Sequence, residues 1–181
     1  MATFVKKVGN NNYYHIDNIR AGGIVPFYIE NNKVYILINT ENRKNKIIDN
    51  CIGGKVDKLD RNIEDTMIRE FNEETGFIVS KRIRQLNKIS NKRIKMIKAK
   101  YISMLIDIKG ESQFKLLPYN YDEIFKGVEF FNHRDSLKLK WIELFNYKLD
   151  NASFLLKVLM HKIRRLNKFR DYNKNTEPLF V

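Results

Sequence analysis

Between Gly53 and Ile78 the chain sets a glycine pair, a polar loop and the run Arg69-Glu70-Phe71-Asn72-Glu73-Glu74-Thr75-Gly76, and no other stretch constrains the fold as strongly. Ile63, Met67 and Phe71 recur every fourth residue, which predicts a helix over about Ile63 to Thr75 with that stripe on the core. Asn62 or Asp60 can cap its start and Gly76 can end it. Glu70, Glu73 and Glu74 stand at i, i+3 and i+4, so one helical face carries three carboxylates. Three like charges repel unless something neutralises them. A hard divalent cation does so, because Mg²⁺ takes oxygen ligands and keeps waters for substrate phosphates. The glycine pair lets a backbone carbonyl reach the same ion, and Arg69 can brace a neighbouring carboxylate. The plainer reading is a solvated, charged helix face on which Arg69 pairs with nearby acids.

The rest of the chain supplies strands. Ile19–Ile29 and Lys33–Thr40 are β-branched and aromatic runs joined by Glu30-Asn31-Asn32, which reads as a hairpin because Asn tolerates left-handed turn conformations. Gly22-Gly23 inside the first run points to close approach of something to that backbone. Ile47–Ile52, Arg84–Ile97, Ala99–Ile108 and Leu137–Leu144, the last with Trp141, read as further strands, and Tyr121–Gly127 as a short helix. From Asn151 to Arg170 the residues Leu155, Val158, Leu159, Ile163, Leu166 and Phe169 form one apolar stripe with bases opposite, which predicts a final helix with Asn151-Ala152-Ser153 as its cap. Strands with a helix on either side imply an α/β (α+β) sandwich around a central mixed sheet. One domain is expected over 19–170, with an N-terminal extension over 1–18 and a tail over 171–181.

The stretch from Gly54 to Phe77 resembles the Nudix box, whose pattern is G-x5-E-x7-R-E-U-x-E-E-x-G-U with U a bulky apolar residue. Arg69, Glu70, Phe71, Glu73, Glu74, Gly76 and Phe77 match its second half. In the first half Gly54 is followed after five residues by Asp60 in place of Glu, and eight residues rather than seven separate Asp60 from Arg69. The resemblance covers roughly Asn18 to Arg170. It implies hydrolysis of a diphosphate linkage in a nucleoside diphosphate joined to another group, with Mg²⁺ or Mn²⁺ as cofactor. It also implies that Glu73 and Glu74 bind metal, helped by Glu70 and the Gly53 carbonyl, that Arg69 orients Glu70, and that Glu70 binds metal or orients the attacking water. Many members add a carboxylate from a loop before the tryptophan strand; Asp135 is the first choice here, with Glu129 and Glu123 as alternatives.

Charge bears on the substrate. The net charge is +13, and two segments carry it: Lys81–Lys100 holds nine basic residues and no acid, and Asn151–Lys174 holds seven against Asp171. Clustered positive charge suits a polyanion such as RNA. Lys81, Arg82, Arg84, Lys92, Arg93, Lys162, Arg164, Arg165 and Lys168 are the candidates for holding it. Composition offers a plainer account, since Asn, Lys and Ile make up 66 of the 181 residues, as translation of an AT-rich genome gives. Two substrate classes therefore stay open. One is the 5′ cap of RNA, a diphosphate-linked structure, for which cap-cleaving relatives also use a basic helix beyond the box. The other is small anionic substrates: dinucleoside polyphosphates, nucleotide sugars, oxidised nucleotides or inositol pyrophosphates. A third class, an RNA-binding protein with a vestigial site, conflicts with the intact acids.

No apolar run approaches the roughly 18 residues that cross a membrane. Met1–Asn18 lacks the apolar core of a secretory signal, and the lone Cys51 excludes an intrachain disulfide, so a reducing, cytoplasmic setting is expected. His15, His133 and His161 have no metal-ligand spacing. Cys51 reads as a core residue, and Arg20 as either a phosphate contact or a partner of Asp17.

Overall fold

Asn31 and Asn32 take φ values of 50° and 58°, both left-handed, and so close a two-residue turn between β3 (Ala21–Glu30) and β4 (Lys33–Arg43). This is the expected hairpin, longer at its far end. The computed structural model describes residues 5–8, 12–15, 19–75, 92–108 and 136–173. A separate two-stranded ribbon, β1 (Val5–Val8) and β2 (Asn12–His15), precedes the domain. The main sheet has seven strands among the described residues. They are β3, β4, β5 (Lys46–Asn50), β6 (Gly53–Lys55), β7 (Arg93–Met96), β8 (Tyr101–Asp107) and β9 (Ser136–Glu143).

The hairpin strands pair only over Phe27–Glu30 with Lys33–Ile36, then splay. β6 takes over that edge of β3 at Ala21–Gly23, and β5 takes over that edge of β4 at Asn39–Arg43. The short link Cys51-Ile52 passes between them. It brings the Ile52 carbonyl so near Gly23 that a Cβ there would stand 2.0 Å from it, the close approach expected of the glycine pair. β9 covers the other edge of β4, and β8 runs parallel to β3, which makes the sheet mixed. A parallel pair requires a crossover, and α1 (Ile63–Glu74) lies within it.

The two faces of the sheet carry separate cores. α1 buries Ile63, Met67 and Phe71, each at most 1% exposed, with Ile24, Leu37, Ile102 and Met104. Trp141 meets the Tyr28 ring edge-on at 4.9 Å beside this core. On the opposite face α2 (Phe154–Arg164) buries Leu156, Leu159, Met160 and Ile163 against Val25, Ile36, Ile38 and Leu105. α2 starts at the β5 edge, where Ala152 bridges Asp49, and ends facing β7 at the opposite edge.

Two expectations are adjusted. The final helix does not run unbroken to Arg170. It ends at Arg164, Leu166 turns extended at ψ 133°, and a 3₁₀ turn over Asn167–Phe169 leads into the short α3 (Arg170–Asn173). The break lets Phe169 become fully buried, edge-on to Phe27 at 5.1 Å. The strand expected over Arg84–Ile97 is a strand over Arg93–Met96 among the described residues, and a 3₁₀ turn at Ile97–Ala99 closed by left-handed Lys100 (φ 52°) leads into β8. The helix expected at Tyr121–Gly127 lies outside the described residues, as does Gly76. No helix is long and apolar enough to cross a membrane among the described residues.

Candidate active site

α1 is fixed at its start by Asn62, whose side chain accepts from the Asp65 amide at 2.9 Å. Asp60 does other work. Its Oδ1 accepts from Arg69 Nε at 3.1 Å, and its Oδ2 accepts from Arg69 Nη2 at 3.0 Å, from the Thr66 hydroxyl at 2.8 Å and from the Asp57 amide at 2.8 Å. Burial opposes its charge, but the Arg69 guanidinium and the two further donors outweigh it and hold the carboxyl below its ordinary value. The shorter acid and the extra loop residue thus still deliver a two-pronged contact to Arg69.

Arg69 is the hub of the site. Beyond Asp60 it reaches Glu70 at 2.8 Å, Glu73 at 3.0 Å and the Lys55 carbonyl at 2.9 Å. Glu70 is therefore braced from its own helix. It also lies on the backbone of Gly54, where a Cβ would stand 2.3 Å from its Cδ. Gly53 has φ 143°, a conformation that favours glycine, and its amide donates to Glu74 Oε2 at 2.9 Å. Glu74 is the most buried of the three acids, at 8% exposure. Burial pushes Glu74 well above the ordinary carboxylate range and raises Glu70 as well, with Arg69 opposing the rise in Glu70.

Glu41 was not singled out from the sequence. It sits in β4, four residues beyond the buried Leu37, and is 6% exposed. It accepts from Asn50 Nδ2 at 2.7 Å and pairs with Arg43 at 3.0 Å, and its charge adds to the field that raises Glu74. Asn50 in turn accepts from the Ser153 hydroxyl at 2.7 Å, and Ser153 caps α2. Nothing in the sequence sets Glu41 apart, since it stands in the polar run Asn39-Thr40-Glu41-Asn42-Arg43 that ends β4.

Glu70, Glu73 and Glu74 thus gather around Arg69 and the two glycines that start β6. In this arrangement each acid is engaged by a protein donor, and among the described residues no three His, Cys, Asp or Glu side chains form a ready ligand group. The donors nevertheless fit Mg²⁺ or Mn²⁺, because the side chains of Glu70, Glu73 and Glu74 offer only carboxylate oxygens, the ligands such hard cations take.

The other site candidates fall differently. Asp135, Glu123, Glu129, Lys81, Arg82 and Arg84 lie outside the described residues. Lys92, Lys162 and Arg165 are exposed. Arg93 pairs with Glu64 of α1, and Lys168 pairs with Asp107 at 2.9 Å above the Phe27 ring. Arg164 donates to the carbonyls of Leu144 and Tyr147, at 2.8 and 3.0 Å, and so ties α2 to the chain after β9. Cys51 is buried, and burial raises its thiol far above the reactive range.

Comparison with known proteins bears on the whole domain. The NUDIX domain family matches residues 19–149. No curated protein matches the chain. Among solved structures, that of a C. elegans Ap4A hydrolase binary complex is similar at 16% identity and TM-score 0.43, over 80% of this chain and 94% of that one. Shewanella oneidensis NrtR is similar at 12% identity and TM-score 0.42, over 80% of this chain and 62% of that one. The family match spans most of the chain, including the acids, Arg69 and both glycines. This chain belongs to the Nudix family, and it is a Nudix-type pyrophosphohydrolase.

Proposed function

We propose that this protein hydrolyses the diphosphate linkage at the 5′ cap of RNA. The observation that carries the reading is the cluster of Glu70, Glu73 and Glu74 around Arg69 and the two glycines of β6. Glu73 and Glu74, with Glu70 and the Gly53 carbonyl, would hold Mg²⁺ or Mn²⁺. Such an ion, when bound, neutralises charge developing on phosphate oxygens.

The chain's own groups do the rest. Asp60 fixes Arg69, and Arg69 fixes Glu70, so the carboxylate meets its substrate without searching for an orientation. Glu70 binds that ion or orients the attacking water, and Arg69 holds its carboxylate in place for either role. Asp135 is proposed as the carboxylate that completes the site from the segment before β9. The excess of cations supports RNA as the body of the substrate.

The test compares capped RNA with a free cap dinucleotide in the presence of Mg²⁺. Release of the cap nucleotide from long capped RNA, with the free dinucleotide hardly touched, is the expected result. The reverse preference would make the substrate a small nucleotide, as in the second reading of the charge pattern.

A further inference from the structure

Tyr101 opens β8 opposite Ala21 of β3, and its side chain is packed in the core on the α2 face at 4% exposure. Its hydroxyl nevertheless reaches past β3 to β6. A Cβ on Gly23 would stand 2.2 Å from Tyr101 Oη, and a Cβ on Gly53 would stand 2.3 Å from it. Two glycines paired across β3 and β6 thus leave room for one hydroxyl. We infer that Tyr101 is a positioning residue for the acids, holding the Glu74 carboxylate in place through the Ile52–Gly53 peptide. The inference deepens the hydrolase reading above, and it rests on the proposed cation only for its effect on metal affinity.

The first observation is that both ends of one peptide are held. The Ile52 carbonyl accepts from Tyr101 Oη at 3.4 Å, and the Gly53 amide donates to Glu74 Oε2 at 2.9 Å. Carbonyl and amide lie in one rigid plane, so a rotation that moves either contact moves the other. Gly53 and Gly54 follow, the residues with the widest backbone freedom, and Gly53 takes φ 143°. An anchor on this peptide therefore matters more than one inside a regular strand. Donation to the carbonyl also polarises the peptide and makes its amide a stronger donor to Glu74.

The second observation is that stability does not account for the hydroxyl. Its bond to Ile52 is long, and a buried hydroxyl with one long bond contributes little. Phenylalanine would fill the same core without burying a polar atom. Burial above all, with Cys51 and the carboxylates of Glu74, Glu70 and Glu41 beside it, pushes the phenol well above its ordinary range, so it remains a donor.

The third observation is the division of labour among the acids. Arg69 braces Glu70 and Glu73 from within α1, while the Gly53 amide of β6 meets Glu74. Tyr101 thus acts on the acid that Arg69 is not shown to brace, and it acts from the opposite side of the sheet. Removing its hydroxyl should loosen Glu74 and leave the Asp60–Arg69–Glu70 contacts as they are.

The test is Tyr101→Phe in the full chain, first in chelator. Hydrogen exchange of the Gly53 amide, followed by NMR, should quicken by about 2- to 10-fold, the worth of one hydrogen bond. Tm should stay at the wild-type value, as should exchange of the Leu144 and Ile108 amides, which donate to Val34 and Phe27 elsewhere in the sheet. Mn²⁺ is then added, and its affinity is read from the electron paramagnetic resonance signal of the free ion. It should weaken by about tenfold, as when a group that orients a metal ligand is lost. Unchanged exchange at Gly53 would overturn the inference. A lower Tm with all three amides quickened alike would also overturn it, because the hydroxyl would then serve the fold alone. Glu74→Gln is measured alongside. Unchanged Mn²⁺ affinity in Tyr101→Phe, where Glu74→Gln weakens it, would overturn the inference too. Equal Mn²⁺ affinity in Glu74→Gln and the wild type, with Gly53 exchange quickened in Tyr101→Phe, counts against the metal reading alone.

Discussion

The carboxylate of Glu70 fills the space that a side chain at residue 54 would need: a Cβ on Gly54 would stand 2.3 Å from Glu70 Cδ and Oε2. The glycine is thus a steric condition for the place of an acid sixteen residues later. Gly54→Ala must push Glu70 off Arg69 or shift the backbone. Turnover should fall by about 10²-fold, the scale of an ångström-sized misplacement, and stability by about 1–3 kcal/mol. Steady-state kinetics and a thermal melt check this. Unchanged kcat would mean that Glu70 acts from some other position.

Arg69 depends on Asp60 for its orientation. Asp60→Asn keeps the shape but removes the charge facing a guanidinium, and should destabilise the protein by about 2 kcal/mol. It should also lower kcat, because Arg69 would no longer be held against Glu70. Asp60→Glu should fail to restore activity, since the longer acid must also accept from Thr66 and the Asp57 amide in a loop shaped for Asp. Urea melts and kinetics of both variants separate loss of fold from loss of orientation.

Acid pairing predicts a pH signature that metal should reverse. Glu74 has a folded-state pKa raised well above 4.5 by burial. Above pH 4.5 the native protein therefore holds a proton that the unfolded chain has released, and stability falls as pH rises. Asp60 and Asp49 have the opposite sign: burial raises each, but Arg69 for the one, and Lys140, Tyr147 and Thr40 for the other, lower them further. Their contribution is present above pH 3.8 and is lost as pH falls through their depressed values. In chelator, Tm should decline as pH rises above 4.5. Mg²⁺ should raise Tm, and by more at the alkaline end. A gain that is the same at every pH would remove Glu74 from the ligands.

What the sequence showed depended on whether one segment carried the whole signal. α1 was legible because its cap, its apolar stripe and its three acids all lie within fifteen residues, Asn62 to Gly76. The β3–β4 hairpin was legible because two asparagines demand one kind of turn. The break after Arg164 was not, because Leu166 and Phe169 continue the stripe in sequence while Phe27, far away in the chain, receives the Phe169 ring. Arg164 and Lys162 look alike in sequence, and only the carbonyls of Leu144 and Tyr147 tell them apart. Glu41 was hidden for the same reason, since its neighbours Asn50 and Glu74 come from other elements.

The Ser153 cap connects α2 to Asn50 and, through it, to Glu41. Ser153→Ala should cost about 1 kcal/mol through the cap alone. Freeing Asn50 should add to that loss. A double-mutant cycle with Asn50→Ala measures the coupling, and strict additivity would show that the Ser153–Asn50 contact contributes nothing to stability.

Glu73 and Glu74 are proposed to hold together a cation that drives hydrolysis of a diphosphate linkage. The most direct measurement is release of the cap nucleotide from capped RNA by the wild type and by Glu73→Gln/Glu74→Gln, each in Mg²⁺ and in chelator. Turnover is expected only for the wild type in Mg²⁺, with the double variant reduced by about 10²-fold or more. Turnover that survives both substitutions, or that persists in chelator, would contradict it.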